Sequence, residues 1–408
     1  MQNWHLGALL AALTLISGCG GGGGDSTPAA ATTVTNTIAR AGANVQPISV
    51  NAGLGGTVNL AFTSVTLCAP GSGNCQTIDN VVIDTGSTGL RIMASALAPS
   101  LALPQQLDGQ GDPVLACGHF ADGYTWGPVK LADLKMAGEQ ASSLPIQVIG
   151  DPGFSLQVPS RCSATGVSRN SASELRANGI LGLAIFRQDC GPACAQSASH
   201  GVYYTCPPAG CQAAVMPLAL QLQHPVAKFA VNNNGVIIEL PPVPPEGAAS
   251  ISGSLVFGIG TQVNNGIGRA TVIGVDAGTA NFTTIYNGAS YSASFIDSAS
   301  NAFFFDDAGT PVCTDPAAAG FYCPPATKNL SALIQGRNGR SASVNFSLAN
   351  AVALVTGRPG YAVFGNLGAP SLGAGIVDWG LPFFYGRNVY TAIDGADTPA
   401  GPGPYVAF

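Results

Sequence analysis

From about Val45 onward the chain runs in short apolar segments, each broken within a few residues by Gly, Pro, Asn or Ser. TVNLAFTSVTL from Thr57, GSLVFGIG from Gly253 and ASFIDSASNAFFF from Ala293 are representative. Segments of that length bounded by turn residues predict β-strands, and their repetition predicts a mainly β protein. Helical periodicity is scarce, with MPLALQLQ from Met216 as a short exception. LPPVPPEGAAS, Leu240 to Ser250, carries four prolines where a continuing strand tolerates none. It reads as a linker or long loop dividing the mature chain into two β-rich parts, 45–240 and 241–408.

One apolar run ends on a charge. In NVVIDTGSTGL, Asn80 to Leu90, three aliphatic residues lead directly into Asp84. A carboxylate at the end of a buried strand is costly unless something requires it there. A faint internal repeat suggests the requirement: SFIDSASNAF, from Ser294, places Asp297 after Phe295 and Ile296. Both turns read Asp, then Thr85 or Ser298, then Gly86 or Ala299, then Ser87 or Ser300. Two carboxylates brought within hydrogen-bond reach cannot easily both ionise, so they share a proton. The ionised member can take a proton from a trapped water while the protonated member donates to a carbonyl oxygen. That is hydrolysis by general acid–base catalysis, with no metal or organic cofactor needed. In this scheme Thr85 and Ser298 brace the turns against each other, and Ser87 and Ser300 donate to the carboxylates.

The ordered set of motifs resembles the pepsin-like aspartic peptidases. Besides the two Asp turns, NGILGLA from Asn178 is similar to the family's apolar-apolar-Gly segment behind the first aspartate. GSLVFG from Gly253, IYNGASYSASFIDSAS from Ile285 and WGLPFFYGRNVYTAID from Trp379 resemble later family segments, in family order. The resemblance implies two β-rich lobes, an N-terminal one with Asp84 and a C-terminal one with Asp297. A substrate cleft would lie between them, under a hairpin flap. CGHFADGYTWG from Cys117 is the candidate flap, with Phe120 and Tyr124 nearest the expected closing aromatic. Two positions depart from the family: Ala299 stands where Gly is usual, and Arg91 where eukaryotic members usually carry Trp. The implied activity is endopeptidase, with peptide or protein as substrate. The alternative is a catalytically inactive pepsin-like binding protein of the cell envelope. No G-x-S-x-G or H-E-x-x-H supports a serine or zinc hydrolase. Asp306, Asp307 and Asp315 read as solvated loop charges.

Composition narrows the partners. The 408 residues carry a formal net charge of −6 with no basic block, so nothing would neutralise a run of phosphates in nucleic acid. LGALLAALTLISGC, Leu6 to Cys19, resembles a bacterial lipoprotein signal over 1–18, with Cys19 as the lipidated first mature residue. A Gly-rich tether would then fill 19–44, too poor in apolar residues to fold. Lipid anchorage in the envelope, with the outer membrane as its destination, follows from that resemblance. Setting Cys19 aside leaves ten cysteines, an even number that suits an oxidising compartment. Proximity suggests Cys68 with Cys75, Cys190 with Cys194, Cys206 with Cys211 and Cys313 with Cys323. Cys117 and Cys162 would remain to pair, though spacing alone does not fix connectivity.

Overall fold

The computed structural model describes residues 37–155 and 158–408. The expected signal segment, Cys19 and the first part of the expected tether lie outside the described residues. Strand accounts for 39% and helix for 11%, so the protein is mainly β.

The larger of two sheets has fifteen strands among the described residues, and part of it closes on itself. In order around the ring run Ala61–Cys68, Cys75–Asp84, Gly179–Leu183, Thr88–Met93, Glu139–Ile149 and Gly123–Met136. The last pairs back onto the first, with Leu67 opposite Leu134. Closure removes edge strands from this part of the sheet. The ring is filled from within by Val65, Leu67, Ile83, Leu90, Ile92, Ile146 and Leu181, all buried. Each such aliphatic side chain contributes about 1.5–3 kcal/mol on full burial, which fixes the register of every strand that carries one.

Beyond the ring, Val45–Val50, Ile251–Phe257, Gly235–Leu240, Arg387–Ala392, Tyr405–Ala407 and Val272–Gly274 form a continuous strip. Residues 241–250, expected as a linker, connect two antiparallel neighbours in this strip, with Ile238 opposite Leu255. The prolines sit in the connection, where no ladder needs their N–H groups.

The smaller sheet orders Ser341–Leu348, Lys328–Gln335, Phe282–Tyr286, Ala289–Ile296, Asp378–Trp379, Phe303–Phe304 and Gly368–Ala369. Its hairpin turn is Asn287-Gly288, with φ of 49° and 77°, the left-handed pair that an Asn-Gly turn supplies. Phe303, Phe305, Phe346 and Trp379 pack edge to face or tilted behind it, at centroid distances of 5.1–5.8 Å.

Among the described residues, five disulfides join Cys68 to Cys75, Cys117 to Cys162, Cys190 to Cys194, Cys206 to Cys211 and Cys313 to Cys323. Two local expectations fail. MPLALQLQ makes only a short turn of 3-10 helix, Leu218–Leu220. The next residue, Gln221, is buried and spends its amide on Gly191 and Met216 backbone carbonyls, which takes the chain out of helical register. Asp307 is not a solvated charge: it is buried against Lys328 at 2.5 Å and Thr310 at 2.7 Å.

Candidate active site

The same construction occurs twice. Strand Cys75–Asp84 delivers Asp84, the chain turns through Thr85, Gly86 and Ser87, and strand Thr88–Met93 leads away. Strand Gly179–Leu183 threads between those two, parallel to the first and antiparallel to the second. In the smaller sheet, Asp378–Trp379 threads in the same sense between Ala289–Ile296 and Phe303–Phe304, on either side of the Asp297 turn. Each threading strand reaches a glycine that nothing larger could replace. A Cβ on Gly182 would lie 2.8 Å from Ser87 O, and one on Gly380 would lie 2.5 Å from Ser300 O. The tight approach therefore requires glycine in both halves.

The two turns lock together reciprocally. Thr85 N–H donates to Ser298 Oγ at 3.1 Å, and Ser298 N–H donates to Thr85 Oγ1 at 2.9 Å. Ser298 Oγ–H continues to Ile83 O at 2.7 Å, and Thr85 Oγ1–H to Ile296 O at 3.4 Å. Asp84 accepts from Gly86 N–H at 2.8 Å, Ser87 N–H at 3.1 Å and Ser87 Oγ–H at 2.5 Å. Asp297 accepts from Ala299 N–H at 2.8 Å, and its Oδ2 lies 3.0 Å from Ser300 Oγ. The carboxyls of Asp84 and Asp297 are both buried and hydrogen-bonded to each other. All eight turn residues singled out in the sequence thus meet at one place.

Gly86 and Ala299 are not equivalent there. A Cβ on Gly86 would stand 2.8 Å from Asp297 Cγ, inside contact distance. Ala299 instead turns its methyl toward an apolar cluster of Phe62, Val82 and Ala177, and its backbone is outside the left-handed region. Alanine keeps the N–H that the carboxylate needs and crowds nothing.

Burial, followed by the negative charge on Asp84, pushes the Asp297 carboxyl up to about 7. A third carboxyl stands beside them, one that the Asp-turn motif did not disclose. Asp378 Oδ2 lies 2.5 Å from the same Ser300 Oγ, and Asp378 is fully buried. Burial first, then the charge of Asp297, raises it well above the ordinary carboxylate range. Aligning the two threading segments on Gly182 and Gly380 sets Asp378 opposite Ile180, a contrast visible in the sequence itself. Among the described residues no group of His, Cys, Asp or Glu has the arrangement of a metal site.

A family model matches residues 40–408, nearly the whole described chain. The chain belongs to the family described as Protein of unknown function (DUF3443). No curated protein matches it.

The candidate flap is a hairpin of Val114–Phe120 and Gly123–Met136, and its two aromatic candidates part company. Tyr124 is buried among Trp126, Tyr204 and the Cys117–Cys162 disulfide. Phe120 is half-buried on the other face, under the Arg91 guanidinium at 5.7 Å. Arg91 is itself buried, donating to Thr88 O at 2.8 Å and pairing with Asp189 at 3.2 Å. Tyr203 Oη–H donates to Asp189 at 2.5 Å and accepts from Leu222 N–H at 2.7 Å. Burial outweighs Arg91 and lifts the Asp189 carboxyl to about 6. Arg91 thus fills the space behind the hairpin with a hydrogen-bonded ion pair rather than with an aromatic ring. Asp189 is a second residue the sequence motifs did not single out.

Proposed function

We propose that the protein is an aspartic endopeptidase with the bilobal organisation of the pepsin-like enzymes, hydrolysing peptide bonds through Asp84 and Asp297. The observation that carries this reading is the reciprocal Thr85–Ser298 lock, which holds two buried carboxyls in mutual hydrogen bonding. Capping is done within each turn, by Gly86 and Ser87 N–H on Asp84 and by Ala299 N–H on Asp297, and the lock between the turns is additional to it.

In the proposed cycle a water sits between the carboxyls. Asp84 removes its proton as the oxygen attacks the peptide carbonyl carbon, and Asp297 gives its proton to the carbonyl oxygen. The tetrahedral intermediate then breaks its C–N bond. The proton on Asp84 goes to the departing amine, and Asp297 recovers its own from the collapsing hydroxyl. The acid must be protonated at the start, so cleavage falls as pH rises through about 7, where Asp297 titrates. Phe120, half-buried under the Arg91 guanidinium, is the hairpin aromatic better placed to cover a substrate than Tyr124, which is committed to a core.

The test is cleavage of a peptide library from acid to neutral pH by the soluble protein lacking residues through Cys19. Asp84→Asn and Asp297→Asn run beside it, with a transition-state-analogue inhibitor of aspartic peptidases as a further arm. Acid-side cleavage lost in each variant and blocked by the inhibitor is expected. A folded wild type that cuts nothing across the range removes the enzyme and leaves the cleft as a peptide-binding site. We further propose export and envelope anchorage through lipidated Cys19. Radiolabelled palmitate should enter the wild type and not Cys19→Ala, and label in both, or in neither, would count against it.

A further inference from the structure

Ser300 Oγ carries one proton and faces two carboxylates. It lies 3.0 Å from Asp297 Oδ2 and 2.5 Å from Asp378 Oδ2. Were both ionised, one of those contacts would set lone pair against lone pair, because a hydroxyl donates only once. A second proton must therefore reside in the group. The shorter contact is on the Asp378 side.

The surroundings of Asp378 agree. It has no exposed surface, and its Oδ1 is buried without a hydrogen-bond partner. Its register neighbours are Phe295 on one side and Phe304 on the other, which offer no charge. The titratable groups that act on it are Asp297 and Asp84, both carboxyls, with Ser300 as its hydrogen-bond partner. An anion there would be buried, half unsatisfied and next to like charge, whereas a neutral acid leaves only a carbonyl oxygen unpaired.

We propose that Asp378 is a positioning residue that stays protonated, donating to Ser300 Oγ so that the serine proton is committed to Asp297. This rests on reading Asp84 and Asp297 as the proton-sharing pair. The three carboxyls then hold two protons, one on Asp378 and one within the pair. The chain runs Asp378 to Ser300 to Asp297, and it strengthens as Asp297 becomes anionic on giving up its proton. The Asp84 side has no such relay. Ser87 donates to Asp84 at 2.5 Å, and the position matching Asp378 is Ile180. The asymmetry assigns roles to two otherwise matching turns, making Asp297 the member whose anion is supported at the moment of proton donation.

The decisive measurement is infrared absorption of the carboxyl C=O stretch in the folded soluble protein at about pH 8, above the range where Asp297 titrates. Wild type should keep a protonated-carboxyl band that is missing from Asp378→Asn. No such band in wild type, or a band that survives the substitution, overturns the proposal. Should Asp378→Asn fail to fold, Ser300→Ala removes the acceptor, and the band must move to higher frequency; an unmoved band overturns it equally.

Kinetics supply a second arm. An amide donates to Ser300 as the neutral acid does, so Asp378→Asn should keep kcat within about threefold and leave the alkaline limb in place. Asp378→Ile, restoring the residue type of the other half, should lower kcat about tenfold at constant KM and move that limb to higher pH. If Asp378 were an anion, both variants would move the limb to lower pH. A wild type with the band and no cleavage at any pH would end the peptidase reading and leave the protonated Asp378 intact.

Discussion

At the scale of single residues, the site is held by contacts too close to tolerate substitution in one turn and loose enough to accept it in the other. Gly86→Ala would place a methyl 2.8 Å from Asp297 Cγ, so the carboxyls must separate. On the proposed function, peptide cleavage should fall at least about a hundredfold, while the thermal midpoint stays within a few degrees. Ala299→Gly should change neither by much, because only a partly buried methyl contact is lost. Equal losses in the two variants, measured as kcat/KM on one peptide, would refute the asymmetry. Ser298 is a different case, since its hydroxyl accepts from Thr85 N–H and donates to Ile83 O, both in the buried seam. Ser298→Ala orphans a donor and an acceptor, each costing roughly 1–3 kcal/mol when buried and unpaired. Urea unfolding should show a loss of about 2–6 kcal/mol on that basis. A loss under about 0.5 kcal/mol, the level of an ordinary surface change, would mean that the lock contributes little to folding.

At the scale of elements, the disulfides separate local staples from one that joins distant pieces. Cys117–Cys162 ties the hairpin strand Val114–Phe120 to the short helix Ser160–Ser163, across 45 residues. Cys190–Cys194 closes only 4. Loop-closure entropy gives about 4 kcal/mol for the first and about 2 kcal/mol for the second. Replacing each pair by serine should therefore lower unfolding free energy about twice as much at the hairpin. The opposite ranking would show that the candidate flap is held by its Tyr124–Trp126–Tyr204 packing rather than by its cross-link. These elements were unevenly legible in the sequence. The strands, the Asn287-Gly288 turn and the two Asp turns carry strong local signals, since apolar alternation and turn residues act over a few positions. The threading strand Asp378–Trp379 is two residues long and has no period of its own. It was legible only as the opening of a segment matched to a family. Asp378 therefore carries no local signal beside Trp379, although comparison with Ile180 exposes it. MPLALQLQ misled for the converse reason: its local pattern is helical, and Gln221 answers instead to carbonyls at Gly191 and Met216.

At the scale of the whole molecule, the buried carboxyls set an unusual dependence of stability on pH. Burial raises Asp189 to about 6, and Glu239 and Asp297 to about 7, with Asp378 also well above its ordinary range. A carboxyl raised in the folded state binds its proton more tightly there than in the unfolded chain. Its contribution is complete below the unfolded value near 4 and is lost as pH rises through the folded value. Opposing them, burial lowers His224 to about 4 and lowers His119, so their contributions hold above about 6.5 and fade as pH falls. The Lys328 contact overcomes burial to lower Asp307, whose contribution is lost only in stronger acid. Between about pH 5 and 8 the four carboxyls outnumber the two histidines, so the folded state takes up net protons and stability declines as pH rises. Each net proton corresponds to about 1.4 kcal/mol per pH unit. The urea midpoint should be highest near pH 5 and clearly lower at pH 8. Asp378→Asn should flatten the slope at its upper end, because an amide has no proton to lose. A midpoint constant or rising from pH 5 to 8 would mean that these carboxyls are ionised in the folded protein, and with them the proton count assigned to the Asp84–Asp297 site would fail.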